Sequence, residues 1–167
     1  MSLPDELVAA SVWNQLGASI DALVVAVELC PHDLWGGDGD EGAFWYVAFH
    51  TAFFLDLYVT GSADGFAPPP PFGLEELDPA GVLPPRVYTK DELRAYLRLV
   101  RARAHEAVAG LDAAAASRTC SFPWGSLPYL ELLLYTARHT QHHAGQLALM
   151  LRRGAGLGTP WVGRARR

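Results

Sequence analysis

The chain of 167 residues has few cysteines, no excess of basic residues and no long uncharged apolar run, and each of these shortages excludes a class of protein. Its two cysteines, Cys30 and Cys120, have no Cys-x-x-Cys spacing, so they form neither a disulfide framework nor a thiolate zinc site. We expect both to be small core residues. The 13 lysines and arginines against 18 acidic residues give a formal net charge of −5, which disfavours binding to nucleic acid.

Targeting signals are also scarce. The opening residues MSLPDELVAA lack the basic start and the apolar core of a signal peptide. No later stretch offers the run of about twenty uncharged apolar residues that a membrane-spanning helix needs. We therefore expect a soluble, cytoplasmic protein that does not bind a membrane, folded as one domain over residues 1–167.

Alternating strand patterns are nearly absent, and apolar residues instead recur every three or four positions, which predicts an all-α protein. The first helix is predicted to begin near Asp5 and to stop at Pro31. The second is predicted over Ala43 to Thr60, a segment that is apolar nearly all round and carries His50 in its middle.

Two further helices are predicted in the second half of the chain. Thr89 and Glu92 have capping-box spacing, so the third helix should begin there and run to about Gly110. The fourth should begin after Ser126, read as its N-cap, and continue to Gly154.

The connection over residues 61–88 is rich in proline and glycine and is much longer than the loops that join antiparallel helices. Such a crossover allows the second and third helices to run in the same direction. The sequence therefore predicts a four-helix bundle in up-down-down-up order.

The segment TARHTQHHAGQLALML places three histidines within five positions. His139 and His143 are four residues apart, so they share a helix face and can reach one ion together. They also lie on the apolar row of the fourth helix, and a buried unpaired imidazole costs roughly 1–3 kcal/mol, so a metal ion is an economical partner. His50 is the candidate third ligand. His142 could replace His143 by spacing, but the apolar row favours His143, and any one buried histidine is more often a core residue bonded to a carbonyl.

These features resemble a known family. The segments FWYVAFH, TKDELRAYLRLV and GSLPYLELLLYTARHTQHHAGQLALMLRRGAG are similar to those of the DinB-like (YfiT-type) superfamily of metal-binding four-helix bundles. The resemblance implies that His50, His139 and His143 bind a divalent metal ion. It implies zinc or nickel, with manganese and iron as alternatives.

The resemblance also implies an enzyme that transfers groups to low-molecular-weight thiols such as bacillithiol or mycothiol, or a hydrolase-like relative of one. The resemblance implies a small thiol and an electrophile as partners, which agrees with the lack of an obvious nucleophile in the chain itself. Asp56 and Gln146 are candidates to orient ligands, and His142 is a weak candidate acid or base. The alternative is a non-catalytic, stress-linked binding protein that the metal stabilises.

A homodimer is expected as well. The second helix carries large apolar side chains around its circumference, and one bundle could leave part of this surface uncovered. The side chains in question are Phe44, Trp45, Phe53 and Phe54. Dimers in the superfamily agree with this expectation as a resemblance.

Overall fold

The computed structural model describes residues 5–36 and 42–166, and in these ranges the chain is mostly helical. The described helices are α1 (Asp5–Leu29), α2 (His32–Trp35), α3 (Phe44–Thr60), α4 (Lys90–Ala109), α5 (Ala113–Ser117) and α6 (Tyr129–Ala155). One antiparallel hairpin joins β1 (Thr119–Phe122) to β2 (Gly125–Pro128). The predicted all-α class is confirmed, apart from this small hairpin.

The four long helices, α1, α3, α4 and α6, enclose the apolar core. Helix α1 packs against α4 and α6, and α3 packs against the same two helices. This arrangement brings the middle of α3 against the middle of α6, where the two histidine-bearing segments meet.

The N-terminus of α4 has the predicted capping box. The Thr89 hydroxyl accepts a hydrogen bond from the Glu92 amide at 3.2 Å, and the Glu92 carboxylate accepts one from the Thr89 amide at 2.8 Å. Both bonds satisfy amides that the first helical turn leaves without intrahelical partners. The helix ends at Ala109 and is followed by Gly110, as predicted.

The predicted start of the fourth helix is wrong by two residues. Ser126 lies in β2, and α6 begins at Tyr129, directly after Pro128. The Ser126 hydroxyl lies 2.8 Å from that of Ser121 on β1, so it serves a cross-strand pair and not a helix cap.

The long crossover is packed on the bundle. Phe72 stacks on Phe49 of α3 with ring centroids 5.7 Å apart and on Tyr96 of α4 at 4.6 Å. These contacts hold the following 3₁₀ turn, Glu75–Leu77, beside α3. The crossover therefore contributes side chains to the surroundings of His50.

Helix α1 is long and apolar enough to cross a membrane by length and composition, whereas the sequence analysis found no such stretch. Its 18-residue window has a mean hydropathy of 1.3, and 44% of that window is buried within the fold. Leu16, Ile20 and Leu23 are fully buried in the core. A core helix of a bundle has the same length and composition, so α1 is weak evidence for a membrane span.

Most of the apolar surface that suggested a homodimer is covered by the chain itself. Phe44, Trp45 and Phe53 are at most 2% exposed, and Phe54 is half-buried. The homodimer stays a prediction, because three of the four side chains on which it was based are covered within the chain.

Candidate metal centre

Three histidine rings converge where α3 meets α6. One ring nitrogen from each of His50, His139 and His143 lies within 4.8 Å of the other two. The ring centroids are 4.5 Å apart for His139 and His143, 4.9 Å for His50 and His143, and 5.5 Å for His50 and His139. The sequence singles out the same three residues, because two lie one helical turn apart and the third is the histidine in the middle of the mostly apolar α3.

The distance between His139 and His143 fits two ligands of one ion. Their Nε2 atoms are 3.1 Å apart. Two nitrogens at zinc-like bond lengths of about 2.0–2.1 Å are separated by roughly 3.0–3.4 Å, depending on the angle at the metal. Two imidazole nitrogens facing each other at this distance can share one cation without rearrangement of the helix.

Gln146 contacts the His143 ring, and its role in orienting a ligand stays a prediction. The Gln146 Oε1 atom lies 2.6 Å from His143 Nδ1 and accepts its proton. That bond makes Nδ1 the protonated nitrogen of the neutral ring and leaves the Nε2 lone pair directed at His139.

Glu76 contacts the His50 ring in the same way, a partner that was not predicted from the sequence. Its Oε2 atom lies 2.7 Å from His50 Nδ1, and its side chain is only 5% exposed. In the neutral ring, Nδ1–H donates a hydrogen bond to this carboxylate and Nε2 keeps the lone pair, the arrangement common at metal-binding histidines. Glu76 lies in the proline-rich crossover, where no periodicity indicates which side chains face inward.

The cluster favours neutral imidazoles. Burial, with smaller contributions from the neighbouring His143, His50 and His142, lowers the pKa of His139 to about 3. Burial also lowers the pKa of His143, partly offset by its bond to Gln146. Neutral rings have the free lone pairs that a metal ion requires. The Nδ1 atom of His139 is buried and has no hydrogen-bond partner among the described residues.

Asp56 does not join this cluster. Its fully buried carboxylate contacts Arg103 at 2.8 and 2.9 Å and accepts a hydrogen bond from the Tyr96 hydroxyl at 3.1 Å. Both partners lie on α4, so Asp56 joins α3 to α4. Because the residues around Asp56 in α3 are apolar on every side, their pattern does not indicate which neighbouring helix the carboxylate faces.

His142 and the two cysteines lie outside the convergence point. His142 is exposed, with its ring centroid 5.0 Å from that of His143. Cys30 and Cys120 are buried free thiols, and burial raises the pKa of Cys30 to about 11. Neither thiol has the lowered pKa of a cysteine nucleophile, which agrees with their prediction as core residues.

An open cavity adjoins the histidines. Its volume is about 420 Å³, within the range of small-molecule sites, and its lining includes His50, His143, Gln146 and Glu76. A small ligand can therefore approach the convergence point from this side.

The sequence comparison identifies the family. Residues 15–147, more than three quarters of the chain, match the family model of the DinB superfamily. The chain belongs to the DinB superfamily. A search of curated proteins found no match. Membership in this superfamily and the three-histidine cluster together fit a metal-binding protein.

Proposed function

We propose that this DinB-superfamily protein is a divalent-metal-dependent enzyme that joins a low-molecular-weight thiol to an electrophile, or a hydrolase-like relative of such an enzyme. The observation that carries the proposal is the convergence of three imidazoles beside an open cavity. Among the described residues, no fourth histidine, cysteine or acidic side chain completes this group. Three protein ligands with accessible positions are typical of catalytic metal sites, whereas structural sites are closed.

Each residue of the cluster has a defined part in the proposed site. His50, His139 and His143 would hold the ion through ring nitrogens, and Glu76 and Gln146 would fix the orientation of two of these rings. A bound divalent ion would supply Lewis acidity, which lowers the pKa of a thiol and makes it nucleophilic near neutral pH. His142, exposed beside His143, is the candidate to exchange a proton with solvent.

The finer expectations also remain proposals. Zinc or nickel suits the imidazole ligands, with manganese and iron as alternatives, and we propose a cytoplasmic homodimer. An up-down-down-up order is supported by the ends that meet. Lys90, which begins α4, donates to the carbonyls of Glu28 in the last turn of α1 and of Cys30 just after it. The contact between the rings of Trp45 and Tyr88 brings the starts of α3 and α4 together.

Cobalt substitution tests the proposed function. Adding cysteine, glutathione, bacillithiol or mycothiol to cobalt-loaded protein should produce a sulfur-to-cobalt charge-transfer band, because the thiol sulfur would enter an accessible position. The cobalt content is measured before and after each addition. The band should also be absent in a His139→Ala variant treated in the same way.

An unchanged cobalt spectrum would contradict the proposed thiol chemistry. If cobalt stays bound, the protein stays folded and none of the four thiols changes the spectrum, the thiol-transferase proposal is wrong. The metal-stabilised binding protein would then be the better account of the same three histidines.

A further inference from the structure

The cavity beside the histidines has an acidic wall. Glu75, Glu76 and Asp78, all in or next to the 3₁₀ turn of the crossover, line it, and its lining contains no lysine or arginine. Among the described residues, no lysine or arginine forms a salt bridge with Glu75 or Glu76. No lysine or arginine among the described residues therefore neutralises the negative charge of this wall.

Two carboxylate oxygens of this wall are buried without a hydrogen-bond partner. Glu76 is only 5% exposed; its Oε2 contacts His50, but its Oε1 has no partner among the described residues. The Oε2 atom of Glu75 is also buried and unpartnered. A buried carboxylate oxygen without a donor is costly, so these atoms indicate a site for a ligand that brings donors and positive charge.

The spacing of the acidic groups favours a cationic organic group over a second metal ion. Among the described residues, the three histidines are the only group of three or more possible ligands whose atoms all lie within 4.8 Å of one another, so the three carboxylates are too dispersed to surround one ion. The aromatic rings of Tyr46 and Phe54 line the same cavity, and aromatic faces attract cations.

We propose that this cavity binds the ammonium group of a small-molecule substrate, between the acidic wall and the histidine cluster. This proposal rests on the proposed function, because the ammonium group would belong to a substrate that reacts at the adjacent metal site. It narrows the substrate class to amino thiols or amine-bearing electrophiles and disfavours anionic thiols.

The test uses probes without a thiol, so that it is independent of thiol chemistry. Ligand-observed NMR titrations of zinc-loaded protein compare butylammonium with 1-butanol and butyrate. We expect butylammonium to bind about tenfold more tightly than 1-butanol, because it gains charge-assisted hydrogen bonds, and butyrate to bind most weakly. Equal affinity for butylammonium and 1-butanol, or no binding of butylammonium, would overturn the proposal.

Variants locate the binding. Glu75→Gln and Asp78→Asn should each reduce butylammonium affinity severalfold, and the asparagine can still accept the Ala80 amide as Asp78 does. Glu106→Gln removes an exposed acid on α4 and should leave the affinity unchanged. Circular dichroism and zinc content confirm folding and loading. An unchanged preference for butylammonium in both cavity variants would place the cation elsewhere and overturn the assignment.

A second arm separates this inference from the proposed function. Cysteamine should produce the cobalt charge-transfer band at lower concentration than 3-mercaptopropionate. If neither thiol changes the spectrum while butylammonium binds as expected, thiol chemistry fails and the cation site stands. If both thiols give the band at the same concentration, the cation site fails and thiol binding stands.

Discussion

At the residue scale, the hydrogen bond made by Nδ1 of an imidazole determines whether its Nε2 is available to bind a metal ion. Glu76 accepts the Nδ1 proton of His50, and Gln146 accepts that of His143, so both rings keep Nε2 free. His139 has no such partner among the described residues, and its Nε2 is positioned by its neighbour His143. The cluster is thus preorganised at two of its three members.

Removing one of these orienting bonds should weaken metal binding without abolishing it. We expect Gln146→Ala to lower the zinc affinity by roughly tenfold, because the His143 ring loses the acceptor that fixes its tautomer. Gln141→Ala, a change at an exposed position of the same helix, is the control. Competition with a zinc-binding dye measures both affinities, and equal losses in the two variants would contradict the role of Gln146.

The histidines could be predicted from sequence, whereas their carboxylate partner could not. His139 and His143 lie on a regular helix, where spacing and apolar neighbours define the face. Glu76 lies in an irregular crossover, and its position depends on aromatic packing of Phe72 that no local pattern encodes. Asp56 could not be placed either, although it lies on a regular helix. Because α3 is apolar nearly all round, its sequence does not indicate which neighbouring helix a polar side chain faces.

At the element scale, the beginning of α4 combines a capping box with an ion pair. The carboxylate of Glu92 accepts hydrogen bonds from Thr89 and pairs with Arg86 at 2.6 Å. The hydrogen bonds from Arg86 are the largest cause of the lowered pKa of Glu92, which is about 2. A carboxyl whose pKa is lower in the folded than in the unfolded chain stabilises the fold when it is ionised.

This pKa shift gives a pH-dependent prediction. Glu92→Gln keeps a capping acceptor but removes the charge, so it should lower the free energy of unfolding at pH 7. The difference from the native protein should shrink as the pH falls from about 4.5 towards 2, where the native carboxyl also becomes protonated. Urea unfolding at several pH values measures it. A difference that is constant over this range would show that the charge of Glu92 contributes no stability.

The boundaries of the elements were predictable where a local signal acts alone. The capping box at Thr89 and the glycine at Gly110 bound α4 as predicted, because both satisfy backbone groups of that helix itself. Ser126 also resembles a cap in sequence, but its hydroxyl pairs with Ser121 across a hairpin of four-residue strands. Strands this short carry too little alternation to be recognised.

At the scale of the whole molecule, the packing of α3 between α4 and α6 sets the site. The ion pair of the buried Asp56 with the partly exposed Arg103 fixes α3 against α4, and the histidines meet on the side of α3 that contacts α6. The Asp56–Arg103 pair should affect the stability of the fold, whereas the histidine contacts form the candidate metal site.

A variant on the α4 side should therefore affect stability and leave metal stoichiometry intact. Arg103→Met leaves the fully buried Asp56 carboxylate without its cation, although Tyr96 still donates to it, and should cost roughly 1–3 kcal/mol of unfolding free energy. Zinc should still bind at one ion per chain below the unfolding transition. Arg98→Met, at an exposed position of the same helix, is the matched control and should be nearly neutral. Loss of zinc from folded Arg103→Met protein would show that the two contacts are coupled.

Zinc stoichiometry in single histidine variants tests the central claim most directly. Calorimetric titration of metal-free protein should give one zinc ion per chain for the native protein and for His142→Ala, whose ring lies outside the convergence point. His50→Ala, His139→Ala and His143→Ala should each lose stoichiometric binding, because each removes one of three ligands. Retention of zinc by His143→Ala together with its loss from His142→Ala would contradict the account.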